Sequence, residues 1–326
     1  MARSALAFWI RAPGAGEIRP TDVADPGPGD VVVRTRYSAV SRGTEAVVFR
    51  GGVPASQYQA MRAPFQAGDF PGPVKYGYLN VGSVEDGPPH LVGRTVFCLY
   101  PHQTHYVVSA DAVTPVPDTV PAERAVLAGT VETAVNAVWD AAPLVGDRIT
   151  VVGGGMVGCA VAGVLAGLPG ADVQLVDSAA ERAATAAALR VGFALPGEAA
   201  QDRDVVVHAS ATEAGLARCL ELAAPEGTVV ELSWYGDRRV SVPLGEQFHS
   251  RRLTVRASQV GTVSPATRGR RGRAERMELA LRLLAHPRFD ALITGDSAFA
   301  ELPEVLPRLV GGDLPALCRR ITYPTE

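Results

Sequence analysis

The stretch ITVVGGGMVG, residues 149–158, limits the possible folds of this chain more than any other part of its sequence. Gly153, Gly155 and Gly158 form the pattern G-x-G-x-x-G directly after an apolar, strand-like run and at the start of a helical one. The first glycine permits a tight turn, the second lets the backbone approach a pyrophosphate, and the third allows the helix to pack closely on the strand. The pattern therefore predicts a strand–turn–helix unit that binds a dinucleotide, with a purely structural glycine turn as the alternative.

The residues around this motif complete a predicted cofactor site. Met156 and Val157 belong to the same turn, at a helix N-terminus whose N–H groups can bind phosphate oxygens. Asp177 ends the next apolar run, VQLV, near the position about 20 residues on where an acid binds the adenosine ribose. A carboxylate there repels a 2′-phosphate, so Asp177 favours NAD over NADP, with NADP left possible. Ser210 and Ser233, beside the runs DVVVH and TVVELSW, are also assigned to cofactor binding.

The residue pattern that predicts secondary structure changes near Glu123. Before this residue, short β-rich runs such as DVVVRTRYSAVS and GRTVFCLY alternate with Pro and Gly, which is typical of a mostly β domain with tight turns. After it, apolar runs of strand length alternate with helical stretches, as expected of βαβ units around a parallel sheet. We therefore predict an α/β fold, with a doubly wound parallel sheet of the Rossmann type and a second, mostly β domain.

Charge and hydropathy limit the partners of the chain. A net charge of -3 and a pI near 6.1 lack the basic excess of a nucleic-acid binder, and the run RGRRGRAER is interpreted as a solvated loop. The apolar run near the N-terminus is interrupted by Arg11, is too short to span a bilayer and lacks a signal-peptide layout. We expect a cytoplasmic protein that binds a small molecule and associates with neither nucleic acid nor a membrane.

Cysteine and histidine are too dispersed to predict a metal site. The four cysteines are Cys98, Cys159, Cys219 and Cys318. They form no CxxC pair, so we expect buried thiols rather than a disulfide framework or a zinc lobe. His102 and His105 stand three residues apart, but further ligands are missing nearby, which favours ordinary polar positions over a metal pair.

These features resemble the medium-chain dehydrogenase/reductase superfamily over nearly the whole chain. The run DPGPGDVVVRTRYSAVSRGTE resembles that family's first hairpin and the start of its active site. The run SRRLTVRASQVG resembles the family's last Rossmann strand. The run FDALITGDSAFAELPEVLPRL resembles the C-terminal segment in which the chain of the family re-enters the catalytic domain. The resemblance implies a Rossmann domain over residues 123–260 and a GroES-like catalytic domain formed by residues 1–122 and 261–326. It also implies a homodimer, in which the strand LTVRASQVG pairs with its copy.

The chain departs from the zinc-dependent members of that superfamily at the zinc-ligand positions. Where a Cys opens the family's C-G-T-D-like stretch, the sequence reads RGTE, beginning with Arg42. Where a G-H-E stretch supplies a histidine, it reads GYL, with Tyr78 in the place of the imidazole. Ala128 and Gly129 stand where the third ligand is expected, and the four-cysteine structural lobe is absent. Because zinc requires a fixed number of N, S or O ligands, we predict that the chain binds no zinc.

Without zinc, other groups must stabilise the substrate oxygen or carry its proton. Thr44 matches the hydroxyl that hands off the substrate proton in the zinc enzymes, and Tyr78 offers a phenol that can donate a hydrogen bond. Lys75, the only lysine of the chain, lies three residues before Tyr78 and could lower the pKa of the phenol. Glu132 precedes the glycine motif, near where the family places the nicotinamide. We predict that Thr44 and Tyr78 hold the substrate oxygen and that Lys75 or Glu132 sets its protonation, while each could also be an ordinary core, turn or surface residue.

The sequence therefore predicts a zinc-independent, NAD-dependent oxidoreductase that moves a hydride between the nicotinamide and an alcohol or carbonyl carbon. Within the superfamily, the S-x-G-T-E run and the tyrosine in place of the G-H-E histidine are most similar to the bacteriochlorophyllide a dehydrogenase type. The segment PASQYQAMRAPFQAGDFPGP suggests a small or medium, polar or aromatic substrate, unless it is a surface loop. The residues of this segment that could line a pocket are Gln57, Tyr58, Arg62, Phe65 and Gln66. The alternatives are an NADPH-dependent reductase of activated double bonds, of the quinone-reductase type, and a non-catalytic NAD-binding protein.

Overall fold

The structure, a computed structural model, describes residues 3–324, without the side chain of Arg3. Its contacts divide the chain into two compact units, Met1–Gly129 with Ile293–Glu326 and Thr130–Leu292. These divisions differ from the domain boundaries predicted from the sequence, 122/123 and 260/261. The helix Arg273–Leu283, expected in the catalytic domain, is part of the second unit.

The described residues form strands and α-helices in the following order. The strands are β1 (Arg3–Ala12), β2 (Ala15–Val23), β3 (Asp30–Ser41), β4 (Ala67–Gly68), β5 (Val74–Lys75), β6 (Asn80–Asp86), β7 (Thr95–Cys98), β8 (His105–Ser109), β9 (Val113–Pro115), β10 (Arg148–Val152), β11 (Asp172–Val176), β12 (Gly192–Ala194), β13 (Arg203–His208), β14 (Ala223–Glu231), β15 (Thr254–Ala257), β16 (Ile293–Ala298) and β17 (Cys318–Thr322). The α-helices are α1 (Thr44–Phe49), α2 (Ala122–Ala125), α3 (Ala128–Ala141), α4 (Met156–Leu165), α5 (Arg182–Leu189), α6 (Glu213–Leu222), α7 (Arg273–Leu283) and α8 (Leu302–Gly311).

The first unit is built around two sheets. One has the strand order β2-β1-β5-β4, and the other has seven strands in the order β16-β17-β3-β6-β7-β9, with β8 paired to β3. Strand pairs in this unit are antiparallel, except that β16 and β17 are parallel. Strand β3 buries the consecutive valines Val31, Val32 and Val33, because strands pair along both of its edges and both of its faces are covered. The mostly β part of the predicted fold is confirmed.

The second unit contains one sheet of six strands, in the order β12-β11-β10-β13-β14-β15. All of its strand pairs are parallel, and the central strand β10 buries Ile149 and Val151 completely. This is the doubly wound Rossmann order, in which the strand sequence reverses between β10 and β13. The predicted Rossmann fold is confirmed, and ligands of such sheets bind outside the carboxyl ends of the strands at the point of reversal.

The four cysteines are free and buried, as the sequence predicts. Burial raises the pKa of Cys98, Cys159 and Cys318 to about 12, so these thiols are protonated and poorly reactive at neutral pH. Between residues 3 and 324, no helix has both the length and the apolar character that crossing a membrane requires.

Candidate cofactor and active sites

The glycine turn, residues 153–158, connects β10 to α4 and leaves open space at the helix N-terminus. Gly153 has a φ of +111°, and a Cβ on it would lie 2.6 Å from the backbone nitrogen of Ser210. A Cβ on Gly158 would overlap the carbonyl oxygen of Gly153, so only glycine lets the first turn of α4 pack on β10. Gly155, by contrast, is exposed and has no atom within 4 Å of a Cβ position. The turn is therefore closed toward the sheet and open outward, which fits close approach of a pyrophosphate.

Met156 and Val157 contribute to this turn through their backbone. The side chain of Met156 is buried and that of Val157 half-buried, so neither is free to reach a ligand. Their N–H groups belong to the first turn of α4, where helical N–H groups have no partner within the helix. The two residues fit the predicted role of phosphate binding through backbone donors.

Asp177 lies directly after β11 and faces the glycine turn. Its Oδ2 accepts a hydrogen bond from the backbone N–H of Gly154 at 2.6 Å, and its Oδ1 accepts one from Ala179 at 2.8 Å. These bonds fix the carboxylate in one orientation and leave further acceptor sites on both oxygens. The stem of Arg182 lies at the same turn, with its Cγ 3.2 Å from a Cβ position on Gly154. The site thus offers a fixed acceptor for ribose hydroxyls, with a guanidinium side chain beside it.

Ser210 and Ser233 belong to one polar cluster that follows β13 and β14. His208 is fully buried, with its Nε2 2.7 Å from Ser210 Oγ and its Nδ1 2.7 Å from Glu231 Oε2. Ser233 Oγ accepts a hydrogen bond from the backbone N–H of Ala211 at 3.1 Å. Burial raises the pKa of Glu231, but hydrogen bonds from His208 and Ser233 outweigh burial and hold it below its ordinary value.

Sequence reasoning missed His208 and Glu231, which orient the two predicted serines. The available signal was their position, because polar residues that end neighbouring parallel strands meet at one edge of the sheet. His208 and Glu231 are such a pair, since they are directly paired across β13 and β14. The cluster lies at the carboxyl ends of the strands, where a Rossmann sheet binds its cofactor.

In the first unit, the structure brings Thr44 and Tyr78 together. Thr44 begins α1, Tyr78 precedes β6, and the side chains of Ser41 and Thr44 interact with the phenol of Tyr78. Burial raises the pKa of Tyr78 to about 12, and the negative charge of Glu45 acts in the same direction. The phenol is therefore protonated at neutral pH and is able to donate a hydrogen bond to an oxygen.

A buried carboxylate and a buried histidine lie beside this pair. Glu45 and His102 are 3% and 2% exposed, and His102 Nε2 is 3.0 Å from Glu45 Oε2. The other carboxylate oxygen accepts the backbone N–H of Ser41 at 2.7 Å, and His102 Nδ1 lies 2.7 Å from Ser38 Oγ. The sequence predicts an ordinary polar position for His102 and gives no sign of its bond with Glu45. The two residues are distant in the chain and belong to no spacing motif.

Lys75 does not join Tyr78, contrary to the contact considered from the sequence. Its Nζ donates a hydrogen bond to Gln103 Oε1 at 2.6 Å and lies 5.2 Å from the centre of the Tyr100 ring. Burial lowers the pKa of Lys75 to about 8, while that of Tyr78 is raised rather than lowered. Lys75 ends β5, whereas Tyr78 lies beyond Gly77, whose φ is +136°, in the non-strand stretch before β6, so the two side chains have different surroundings.

Glu132, in the second unit, forms a buried ion pair with Arg276. Arg276 Nη2 and Nε lie 3.0 Å and 3.1 Å from Glu132 Oε1, and the side chains of Glu132 and Arg276 are 6% and 2% exposed. Arg276 Nη1 also donates to Asn136 Oδ1 at 2.6 Å. Burial raises the pKa of Glu132, and the charge of Arg276 opposes the rise. The structure thus gives Glu132 a structural partner, and its catalytic role stays a prediction.

The segment PASQYQAMRAPFQAGDFPGP, residues 54–73, contains aromatic rings that pack against one another and against Tyr76. The ring centres of Tyr58 and Phe70 are 5.7 Å apart, those of Phe70 and Tyr76 5.8 Å, and those of Tyr76 and Tyr78 6.0 Å. Phe65 is 42% exposed. These contacts connect the segment to Tyr78 through a row of aromatic side chains.

The polar residues of this segment that the sequence predicts to line a pocket instead contact the segment itself or are exposed to solvent. Arg62 Nη1 donates to Asp69 Oδ1 at 2.5 Å, and Gln66 Oε1 accepts the backbone N–H of Ala63 at 3.2 Å. Gln57 is exposed. Arg62 and Gln66 therefore order the segment itself.

The described residues include no group of three or more His, Cys, Asp or Glu side chains placed to hold a metal ion. At the first zinc-ligand position of the similar superfamily, Arg42 is exposed to solvent. At the second, the phenol of Tyr78 lies against Ser41 and Thr44. Neither position therefore carries the thiolate or the imidazole of the zinc-dependent members.

We expect two glycine substitutions in the turn to affect different properties, one the stability of the fold and the other the binding of NADH. Gly158→Ala forces a Cβ into the Gly153 carbonyl and is expected to lower the free energy of unfolding by about 3 kcal/mol. Gly155→Ala meets no atom, so we expect an unchanged fold but NADH binding weakened by about tenfold or more, because the methyl group occupies the space of the ligand. Urea denaturation and NADH fluorescence titration measure the two effects, with the exposed Gly197→Ala as control. Unweakened NADH binding by Gly155→Ala would contradict a phosphate site at this turn.

We expect the Glu132–Arg276 pair to behave as a buried ion pair in a double-mutant cycle. Arg276→Met leaves the Glu132 carboxylate buried without its partner and is expected to cost about 3–5 kcal/mol in the free energy of unfolding. Glu132→Leu combined with Arg276→Met is expected to cost less than the sum of the single changes. Urea denaturation of the four proteins gives the coupling energy, and additive costs would contradict the ion pair.

Comparison with known proteins shows where this fold occurs. No family model and no curated protein matches the chain. Among solved structures, L-idonate 5-dehydrogenase from Escherichia coli has a TM-score of 0.80 at 14% identity, covering 99% of this chain and 99% of that chain. A short chain alcohol dehydrogenase from E. coli CFT073 complexed with NADH has a TM-score of 0.78 at 16% identity, covering 98% and 99%. The 2R,3R-butanediol dehydrogenase from Bacillus subtilis has a TM-score of 0.78 at 15% identity, covering 98% and 100%. The chain therefore has the fold of these dehydrogenases, and the resemblance to the medium-chain dehydrogenase/reductase superfamily is confirmed at the level of the fold.

Proposed function

We propose that the chain is an NAD-dependent oxidoreductase that acts on an alcohol or carbonyl group without zinc. The observation that carries this proposal is the Tyr78 phenol, which stands at a zinc-ligand position and interacts with Thr44. The glycine turn and Asp177 of the second unit support the nicotinamide cofactor. The fold shared with alcohol and polyol dehydrogenases supports the class of reaction.

Tyr78 and Thr44 act together on the substrate oxygen. When an alcohol is oxidised, its carbon loses a hydride and its oxygen loses a proton, and a bound nicotinamide would supply the hydride acceptor. The half-buried Thr44 hydroxyl accepts the proton of the substrate oxygen as it passes its own proton to solvent, so that its protonation is unchanged overall. In the reverse direction, the Tyr78 phenol donates a hydrogen bond to the carbonyl oxygen, where negative charge develops. Two hydroxyl groups thereby provide the oxygen binding that a zinc ion provides in related enzymes.

Glu45 holds this arrangement in place. Its carboxylate accepts the Ser41 N–H just before α1, and His102 binds its other oxygen. The charge of Glu45 also raises the pKa of Tyr78, which keeps the phenol a donor. Lys75 and Glu132 are left out of the proposed step, because the described contacts of their side chains are with Gln103 and Arg276.

The proposed cofactor is NAD. The Asp177 carboxylate is fixed by two backbone N–H groups and faces the turn, so a 2′-phosphate on the adenosine ribose would meet a negative charge. Arg182 lies at the same turn and is the feature that favours the alternative, an NADPH-dependent reductase of activated double bonds. The row of rings from Tyr58 to Tyr78 supports an aromatic or polar substrate.

The proposal includes a homodimer that forms through β15. This strand is at the edge of the second sheet, and its Val255 is 41% exposed. An unprotected edge strand with an exposed apolar side chain is a template for pairing with a second chain. Pairing of two β15 strands would extend the parallel sheet across two subunits.

We expect Tyr78→Phe to lower kcat/KM for a secondary alcohol by about 100-fold or more, since general acid–base groups contribute about 10²–10⁴-fold. Thr44→Val is expected to have an effect of similar size, and the double variant less than the product, because the two groups act on one oxygen. NADH formation with NAD and a panel of secondary alcohols, in the presence of a chelator, measures these rates. Tyr37→Phe, which removes a half-buried phenol bonded to Glu123 outside the proposed site, is the control. Unchanged rates in both single variants, or loss of wild-type activity with the chelator, would contradict the proposal.

We expect the pH dependence of ketone reduction to show no loss from Tyr78 ionisation near the ordinary tyrosine pKa of about 10. The reason is that burial and Glu45 raise the pKa of Tyr78 to about 12, so the donor form persists below that pH. Glu45→Gln removes the negative charge and is expected to move the alkaline loss of activity to lower pH. A wild-type profile that already falls near pH 10, and is unchanged by Glu45→Gln, would exclude Tyr78 as the donor.

We expect a dimer mass at micromolar concentration in light scattering. Val255→Lys places a charge on the exposed edge and is expected to shift the mass toward the monomer, as charged residues block edge pairing. Leu144→Lys, at a position that is 71% exposed and away from this strand in the sequence, is the control. A monomeric wild-type chain would contradict the proposed dimer.

A further inference from the structure

The first unit contains a cavity that the proposed function does not use. It has a volume of about 420 Å³, and its walls come from the end of β2, the loop that follows, β5, β8 and the residues before β8. The charged and polar side chains that line it include Lys75, Gln103, Tyr100, Asp22, Asp25 and Asp30. Neither Thr44 nor Tyr78 lines this cavity, so it is distinct from the proposed active site.

Lys75 brings a buried ammonium group to this cavity. The residue is 7% exposed, and its Nζ is bonded to Gln103 Oε1 at 2.6 Å. Gln103 Nε2 donates to the carbonyl oxygen of His105 at 2.6 Å, which fixes the amide so that its oxygen faces Lys75. An ammonium has three donors, and the described residues provide one acceptor. Two donors of Lys75 are left for a ligand.

The charge of Lys75 has no counterion among the described residues. Between residues 3 and 324, no carboxylate lies within 4.0 Å of Nζ, and the compensating contact is the Tyr100 ring, 5.2 Å away. A buried cation without a paired anion is unfavourable, and here burial lowers the pKa of Lys75 to about 8. A carboxylate bound in the cavity would supply the missing charge and use the free donors.

The outer part of the cavity has the opposite charge. Asp22 and Asp25 are exposed, whereas Lys75 is buried, so the acids lie nearer to solvent than the ammonium group. Asp30 Oδ2 is engaged with the backbone N–H of Gly27 at 2.9 Å. A simple anion would be repelled by Asp22 and Asp25 on its way to Lys75, and a simple cation would find no partner inside. A ligand with both charges matches both ends.

We propose that this cavity binds a small zwitterion of the amino-acid type, with its carboxylate on Lys75 and its ammonium group at Asp22 and Asp25. The proposal does not depend on the proposed oxidoreductase activity, because neither Thr44 nor Tyr78 lines this cavity. A bound carboxylate stabilises the protonated form of Lys75 and therefore raises its pKa.

The experiment uses the fact that Lys75 is the only lysine of the chain. In full-length protein labelled with ¹³C at the lysine ε carbon, a single side-chain NMR signal reports the protonation of Lys75. Glycine, β-alanine and 4-aminobutyrate are titrated as zwitterions of increasing length, with butyrate and butylamine as the anion and cation controls. We expect a saturable shift with at least one zwitterion, a pKa of Lys75 raised from about 8 in its presence, and at least tenfold weaker effects of both controls.

A rim variant tests the acidic end of the cavity and leaves the fold intact. Asp22 and Asp25 are exposed, so Asp22→Asn with Asp25→Asn is expected to keep the circular dichroism spectrum. It is expected to weaken zwitterion binding about tenfold or more and to improve that of butyrate. No saturable shift with any zwitterion would overturn the proposal, as would equal binding of butyrate and 4-aminobutyrate by the wild-type chain.

Discussion

The second unit depends on the contact of Gly158 with the carbonyl oxygen of Gly153. This contact sets the distance between β10 and α4, and any Cβ at position 158 would occupy the place of that oxygen. With the helix held on the strand, the N–H groups of its first turn and the exposed Gly155 face outward. The same packing places the glycine turn beside Asp177, whose carboxylate bonds to the turn at Gly154. One steric condition therefore creates the geometry of both the proposed phosphate site and the proposed ribose site.

The proposed active site of the first unit follows a different principle. A zinc ion fixes a substrate oxygen with a concentrated positive charge, whereas Tyr78 and Thr44 offer hydrogen bonds from neutral hydroxyl groups. Such groups work only if their protonation states are fixed, and here burial and the charge of Glu45 keep Tyr78 protonated. Glu45 in turn is held by Ser41 and His102. The buried Glu45–His102 pair thus supports the two hydroxyl groups that are proposed to bind the substrate oxygen.

The sequence predicts those parts of the structure that residues close together in the chain determine. Gly153, Gly155 and Gly158 lie within six residues of one another, and their spacing alone determines the turn. It could not predict Glu45 with His102, or Glu132 with Arg276, because these contacts join distant parts of the chain through tertiary packing. The closeness of Lys75 to Tyr78 in the sequence suggested a contact, but Lys75 bonds to Gln103 and Tyr78 interacts with Ser41 and Thr44. Sequence distance is therefore informative for turns and weak evidence for which side chains meet.

The glycine turn and Asp177 are proposed to form an NAD site. A titration of the purified chain with NADH and, separately, with NADPH tests this site, followed by nicotinamide emission and by the fluorescence of Trp139 and Trp234. We expect saturable binding of NADH and affinity for NADPH at least tenfold lower, because Asp177 repels the 2′-phosphate. Tighter binding of NADPH would show that Arg182 rather than Asp177 governs the ribose site. Binding of neither nucleotide would contradict the proposed NAD site.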